Sequence, residues 1–182
     1  FGLTPACLIT QLVGRQLRIY REFLEADGSI RKLAPVVMNY LRTNYLPWLN
    51  GDDKIICSVD PAGFQRAQTH ESTCVDELRT AGFVKVLPGP ILWEKRKKSV
   101  EDLLTKTFGE GPALLIDAGE CPILVDGFSG GYRYPEQALE FEPSKVRPIK
   151  NKWSHPHDAL QYVAAGAMQL REQYGLPIPI PR

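Results

Sequence analysis

The residues Ile55-Ile56-Cys57-Ser58-Val59 run without a charge straight into Asp60-Pro61. So short and apolar a run suits a strand buried on both faces. Proline ends it, because it brings no amide hydrogen to a ladder. A strand covered on both sides needs helices above and below, which points to an α/β arrangement. The sequence supplies them. Leu33, Val36, Val37, Tyr40 and Leu41 recur at three- and four-residue steps within Ile30 to Leu49. Leu160, Val163, Ala164, Ala167 and Met168 do the same within Pro156 to Tyr174, where Pro156 suits a first helical position.

Between these anchors the punctuation is mostly local. Leu3 to Val13 and Gln16 to Leu24 read as strands around a Gly14-Arg15 turn, with Leu17 and Ile19 on one face. Thr69 to Ala81 reads as a helix stopped by Gly82, and Phe83 to Leu87 as a strand. Ser99 to Phe108 is predicted as a helix capped by Ser99, and Ala113 to Ile116 as a short strand. Ile123 to Val125 and Gly131 to Tyr134 are expected to flank a Ser129-Gly130-Gly131 turn. Glu140 to Lys152 has no clear period. There is no internal repeat, so we expect one domain over residues 1–175 and an extended, proline-rich tail over 176–182.

The 182 residues are 43% hydrophobic, enough for one sizeable core. A net charge of +1 neither demands nor excludes a nucleic-acid partner, because phosphate binding depends on where charge sits. No apolar run approaches the roughly 18 residues of a membrane span, so no membrane partner is expected. No signal peptide is expected either. Cys7, Cys57, Cys74 and Cys121 form no C-x-x-C pair, which argues against a zinc site and for a reducing cytoplasm. The chain opens inside a strand-like run, and the expectation is an excised fragment.

Two acids stand where chemistry is usual. Asp60 ends a buried strand, and ligands of open α/β sheets bind just beyond such carboxyl ends. Its bland alternative is an aspartate that caps the following Pro61-Ala62-Gly63 turn. Asp158 follows Ser154-His155-Pro156-His157. With Ser154 or His155 as the cap it lies in the first helical turn, where a helix dipole favours a carboxylate whether or not it has a further role. The functional alternative brings both acids to one sheet edge. His155 and His157 read first as loop or cap residues, with a supporting role near a phosphate as the alternative.

The residues then form a recognisable series. Phe1-Gly2-Leu3-Thr4-Pro5-Ala6, Arg21-Glu22-Phe23, Val59-Asp60-Pro61-Ala62-Gly63, Gly127-Phe128-Ser129-Gly130-Gly131-Tyr132 and Lys150-Asn151-Lys152-Trp153-Ser154-His155-Pro156-His157-Asp158-Ala159-Leu160-Gln161-Tyr162 resemble, in order, the nuclease domain of tailed-bacteriophage terminase large subunits. The resemblance implies a ribonuclease H-like fold, with a mixed central sheet flanked by helices. It implies a metal-dependent endonuclease cutting double-stranded DNA during viral genome packaging, in the cytoplasm of the infected host. Asp60 and Asp158 match two of the family's catalytic, metal-binding acids, and Glu22 matches an acidic position of less certain role. The cofactor implied is Mg2+ or Mn2+, two ions together. The family's first aspartate would lie just upstream of Phe1, so weak cutting is expected of the fragment. Partners implied are an upstream packaging ATPase domain, the terminase small subunit and the portal protein. No G-x-x-x-x-G-K-[ST] phosphate loop occurs here.

Two basic groups are candidates for DNA phosphates: Lys95, Arg96, Lys97 and Lys98 ahead of the expected third helix, and Lys145, Arg147, Lys150 and Lys152 leading to Asp158. Their alternative is a solvated charged face. Two other functions stay open: a resolvase- or transposase-like nuclease of the same fold, and a non-catalytic module that clamps DNA or docks on the portal.

Overall fold

The computed structural model describes residues 4–26, 28–48, 54–65, 72–108, 111–136 and 146–174. It is a mixed helix-and-strand protein with small sheets, as an α/β class requires. Contacts gather the chain into two compact units: residues 1–7 with 23–91, and residues 8–22 with 92–182. The expected tail, 176–182, lies outside the described residues.

In the first unit, strands β3 (Ile56–Val59) and β4 (Lys85–Pro88) pair in parallel, with Ile56 opposite Lys85 and Val59 opposite Pro88. A parallel pair needs a crossover, and helix α2 (Cys74–Thr80) lies within it. Both ends of α2 are fixed by sequence. Thr73 and Asp76 form a reciprocal capping box, the Asp76 amide donating to the Thr73 hydroxyl at 3.1 Å and the Thr73 amide to the Asp76 carboxylate at 2.9 Å. At the other end Gly82 turns at φ +109°, with Phe83 N–H donating to Leu78 C=O and Gly82 N–H to Arg79 C=O. That pair of bonds is a Schellman stop, and it needs a residue tolerant of positive φ. Helix α1 (Ile30–Asn44) packs on α2 and buries Leu33, Ala34, Val37, Met38 and Leu41. It is shorter than its apolar spacing predicts: Tyr45 leaves helical geometry and a 3-10 turn covers Leu46–Trp48.

The second unit holds most of strands β1 (Ala6–Val13) and β2 (Gln16–Leu24), which meet strand β7 (Leu114–Ile116) in the order β1-β2-β7. β2 and β7 run parallel, Leu17 beside Leu114 and Ile19 beside Ile116. The two-residue alternation puts Leu17 and Ile19 on one face, and both are buried. They join Leu103 of helix α3 (Trp93–Thr105), Leu124 of helix α4 (Pro122–Asp126), and Leu160 and Ala164 of helix α5 (Ser154–Tyr174) in one core. Full burial of each large aliphatic side chain stabilises by roughly 1.5–3 kcal/mol. Between α3 and β7, strands β5 (Thr107–Phe108) and β6 (Gly111–Pro112) form a short antiparallel ribbon.

Three sequence expectations are corrected here. α3 begins at Trp93, not after Ser99; Leu92 is its N-cap, and the Ser99 hydroxyl instead donates to Lys95 C=O inside the helix. Residues 123–134 are not a hairpin: Ile123–Val125 lie in α4, and Gly127–Gly131 continue it as a wide π-type turn broken at Gly130, φ +121°. α5 begins at Ser154, with no acid in its first turn, so Asp158 stands in the second. Among the described residues no helix is long and apolar enough to cross a membrane.

Candidate functional site

Asp60 belongs to the first unit and directly follows β3. Pro61 opens a 3-10 turn, Pro61–Phe64, and the Asp60 carboxylate caps it, accepting from the Ala62 amide at 2.9 Å. Asp60 C=O accepts from Gly63 N–H at 2.9 Å, and Val59 C=O from Gly89 N–H at 2.8 Å. The capping role read from Asp-Pro is thus present, and the carboxylate is half-buried at the strand's end.

Asp158 belongs to the second unit. Its helix starts where the Asn151 side chain accepts from the amides of Trp153 and Ser154, both at 3.1 Å. Asn151 therefore does the work expected of Ser154 or His155. Ser154 is buried, its hydroxyl donating to Asn151 C=O at 2.8 Å. Asp158 pairs with the Lys150 ammonium, on the stretch just before the helix; the lysine side chain is mostly exposed and the carboxylate mostly covered. Burial lowers the His155 pKa; the Lys150 charge lowers it further and Asp158 opposes both.

His157 faces inward. It is 3% exposed, stacked on the Tyr132 ring and met edge-on by Phe128 at 4.6 Å. Burial pushes its pKa down to about 4, against a Leu124 backbone hydrogen bond and the Asp158 charge, which both raise it. Its Nε2 has no hydrogen-bond partner among the described residues. The glycines of the π-type turn serve this packing. A Cβ at Gly127 would lie 2.1 Å from His157 Nε2, and one at Gly131 would lie 2.5 Å from the Trp153 ring. Tyr132 accepts a 2.8 Å hydrogen bond from Gln161, and burial, with Asp158 nearby, raises its pKa.

Glu22, on β2, has both carboxylate oxygens engaged. They accept from the Ile123 amide at 2.7 Å and the Leu124 amide at 2.9 Å, capping the N-terminus of α4. A carboxylate suits those free amides and the positive end of a helix.

The basic residues divide sharply. Lys95, Arg96, Lys97 and Lys98 lie within α3, not ahead of it. Lys97 pairs with Glu101 at 3.4 Å, and Lys98 with Asp102 at 3.0 Å, one turn along. Lys95 is exposed. Arg96 instead lies over Tyr162 of α5, 4.7 Å from the ring centre, and 5.6 Å from that of Trp93. Arg147 approaches the same indole at 5.1 Å, and Lys152 lies over Trp153 at 4.7 Å. Lys145 lies outside the described residues. Sequence reasoning missed Trp93, Tyr162, Tyr132, Gln161 and Asn151; their partners come from other elements, and only the Asn151 cap leaves a short-range trace.

Chemically, Asp60 and Asp158 offer the hard oxygen donors that magnesium or manganese prefers. Among the described residues no three His, Cys, Asp or Glu side chains gather as a metal-binding group. Compared with family models, with curated proteins and with solved structures, the chain matches none.

Proposed function

We propose that this chain is the nuclease module of a tailed-bacteriophage terminase large subunit, a ribonuclease H-like, metal-dependent endonuclease that cuts double-stranded DNA during genome packaging in the host cytoplasm. The observation that carries the reading is the setting of the two motif aspartates. One directly follows a parallel strand, and the other sits near the start of the long last helix among basic residues. The strand–helix–strand order of β3, α2 and β4, and the adjacent strands β1 and β2, agree with such a fold.

In this reading Asp60 and Asp158 would each offer carboxylate oxygens to magnesium or manganese, and Lys150 would have to release Asp158 for an ion to bind there. Two bound divalent ions supply an activated water and neutralise the phosphate. The protein's own contribution is to orient the acids through the Pro61–Phe64 turn and the Asn151 cap, and to hold the DNA backbone with basic side chains. An upstream ATPase domain, the small subunit and the portal are the partners this implies.

Manganese-dependent cutting of supercoiled plasmid by the full chain tests the proposal. Asp60→Ala and Asp158→Ala should each abolish cutting with the circular dichroism spectrum unchanged; activity retained in either removes that acid from the catalytic set. Preference for four-way junctions over linear duplex would assign the chain to the resolvase-like nucleases. The Lys150–Asp158 pair favours one second reading, since an acid already neutralised suits a module that clamps DNA or docks on the portal. Wild-type protein that binds duplex but never cuts it, even when lengthened by a few residues ahead of Phe1, selects that reading.

A further inference from the structure

We propose that Arg96 is a preorganised phosphate-binding group, holding a DNA backbone phosphate beside the Asp158 turn of α5. That the anion belongs to DNA rests on the function proposed above; the anion chemistry does not.

Arg96 differs from the two lysines that follow it. Lys97 and Lys98 each have an acid one helical turn away. Among the described residues no carboxylate pairs with Arg96. Its guanidinium is instead held by rings, over Tyr162 at 4.7 Å and near Trp93 at 5.6 Å. Both rings are almost wholly buried. A guanidinium is planar and weakly hydrated, so it stacks on buried rings at a lower desolvation cost than an ammonium. Its Nε is buried without a hydrogen-bond partner among the described residues, while the side chain as a whole is half-exposed. The open part of the fork is therefore its Nη end.

Leaving a buried donor unsatisfied is unfavourable, and the ring contacts offset part of that cost. The arrangement fixes a full positive charge in place, so little side-chain entropy remains to be lost when an anion binds. The location is equally specific. Tyr162 is four residues beyond Asp158, so the two share a face of α5 with Cβ atoms about 5–6 Å apart. The charges of Asp158 and Arg96 both act on Tyr132, one raising and one lowering its pKa. Arg147, against the same indole, adds positive potential that favours an anion there.

The test uses a short random-sequence DNA duplex in EDTA, so that no metal chemistry enters. Fluorescence anisotropy should show Arg96→Ala binding about tenfold more weakly, with the slope of log affinity against log salt reduced by about one. Arg96→Lys, which keeps the charge but not the planar stack, should fall between. Lys106→Ala, at a lysine already paired with Asp102 at 3.2 Å, should bind as wild type does. On the unaltered protein, the Arg96 Nε–H resonance should shift as duplex is added, which settles the matter even where Arg96→Ala fails to fold. An unmoved resonance, unchanged affinity and salt slope in Arg96→Ala, or no duplex binding by wild type would each overturn the proposal. Loss of binding in Arg96→Ala from a protein that never cuts DNA would leave the phosphate subsite standing and remove the nuclease.

Discussion

The imidazole of His157 lies flat on the ring of Tyr132, with centroids 4.3 Å apart and planes 5° from parallel. Protonation would put a charge into that buried stack, and burial holds the pKa at about 4 against an ordinary 6.5. Between these values the unfolded chain binds more protons than the folded one, so stability declines as pH falls. The contribution is complete above 6.5 and gone once pH has passed through about 4. Thermal melts should show the melting temperature dropping across that window, and less steeply in His157→Gln. Equal slopes in the two proteins would refute a buried, neutral His157.

Glu22 should matter to stability through a helix about a hundred residues away. Its two oxygens take the Ile123 and Leu124 amides, and Ala at this position leaves both without that partner. Urea unfolding of Glu22→Ala should show a loss of about 1.5–3 kcal/mol, in the range for hydrogen bonds to charged groups. Glu22→Gln, which keeps one acceptor oxygen, should lose less. A Glu22→Ala protein as stable as wild type would mean that α4 does not depend on this cap.

Lys150 controls the charge felt by His155. The ammonium lowers the histidine pKa and Asp158 raises it, both superimposed on the lowering by burial. Lys150→Ala removes a lowering influence and leaves the raising one, so the His155 pKa should rise. Proton NMR titration of the imidazole resonances reads this directly. A pKa that stays put or falls would show that Lys150 lies elsewhere in solution.

Much of this was legible in the chain because the signals are short-ranged. The alternation that buries Leu17 and Ile19, the strand ahead of Asp60 (though Ile56 within it is exposed, so it is not covered on both faces) and the positive-φ stop at Gly82 each need only a few neighbours. The sequence predicts too short an α3 because Leu92 offers no side-chain cap and the charged run after it resembles a solvated face. The Ser129-Gly130-Gly131 glycines resemble a hairpin turn, but only Gly130 needs its φ; Gly127 and Gly131 make room for His157 and Trp153, which sequence spacing does not reveal. The same holds at the candidate site. Asp60 and Asp158 stand out by motif, whereas the Arg96 stack depends on rings brought by α3 and α5. Glu22 stands out only through the motif resemblance, and its helix partner lies too far along the chain to be read.

Neither compact unit is a continuous piece of polypeptide. The chain passes from the first to the second after Cys7, returns after Glu22 and leaves again after Ile91. Severing the backbone near Ile91 would therefore strip residues 92–182 of the Leu17 and Ile19 strand that lies beside β7. A single uninterrupted gene segment that encodes either unit whole must therefore also carry part of the other.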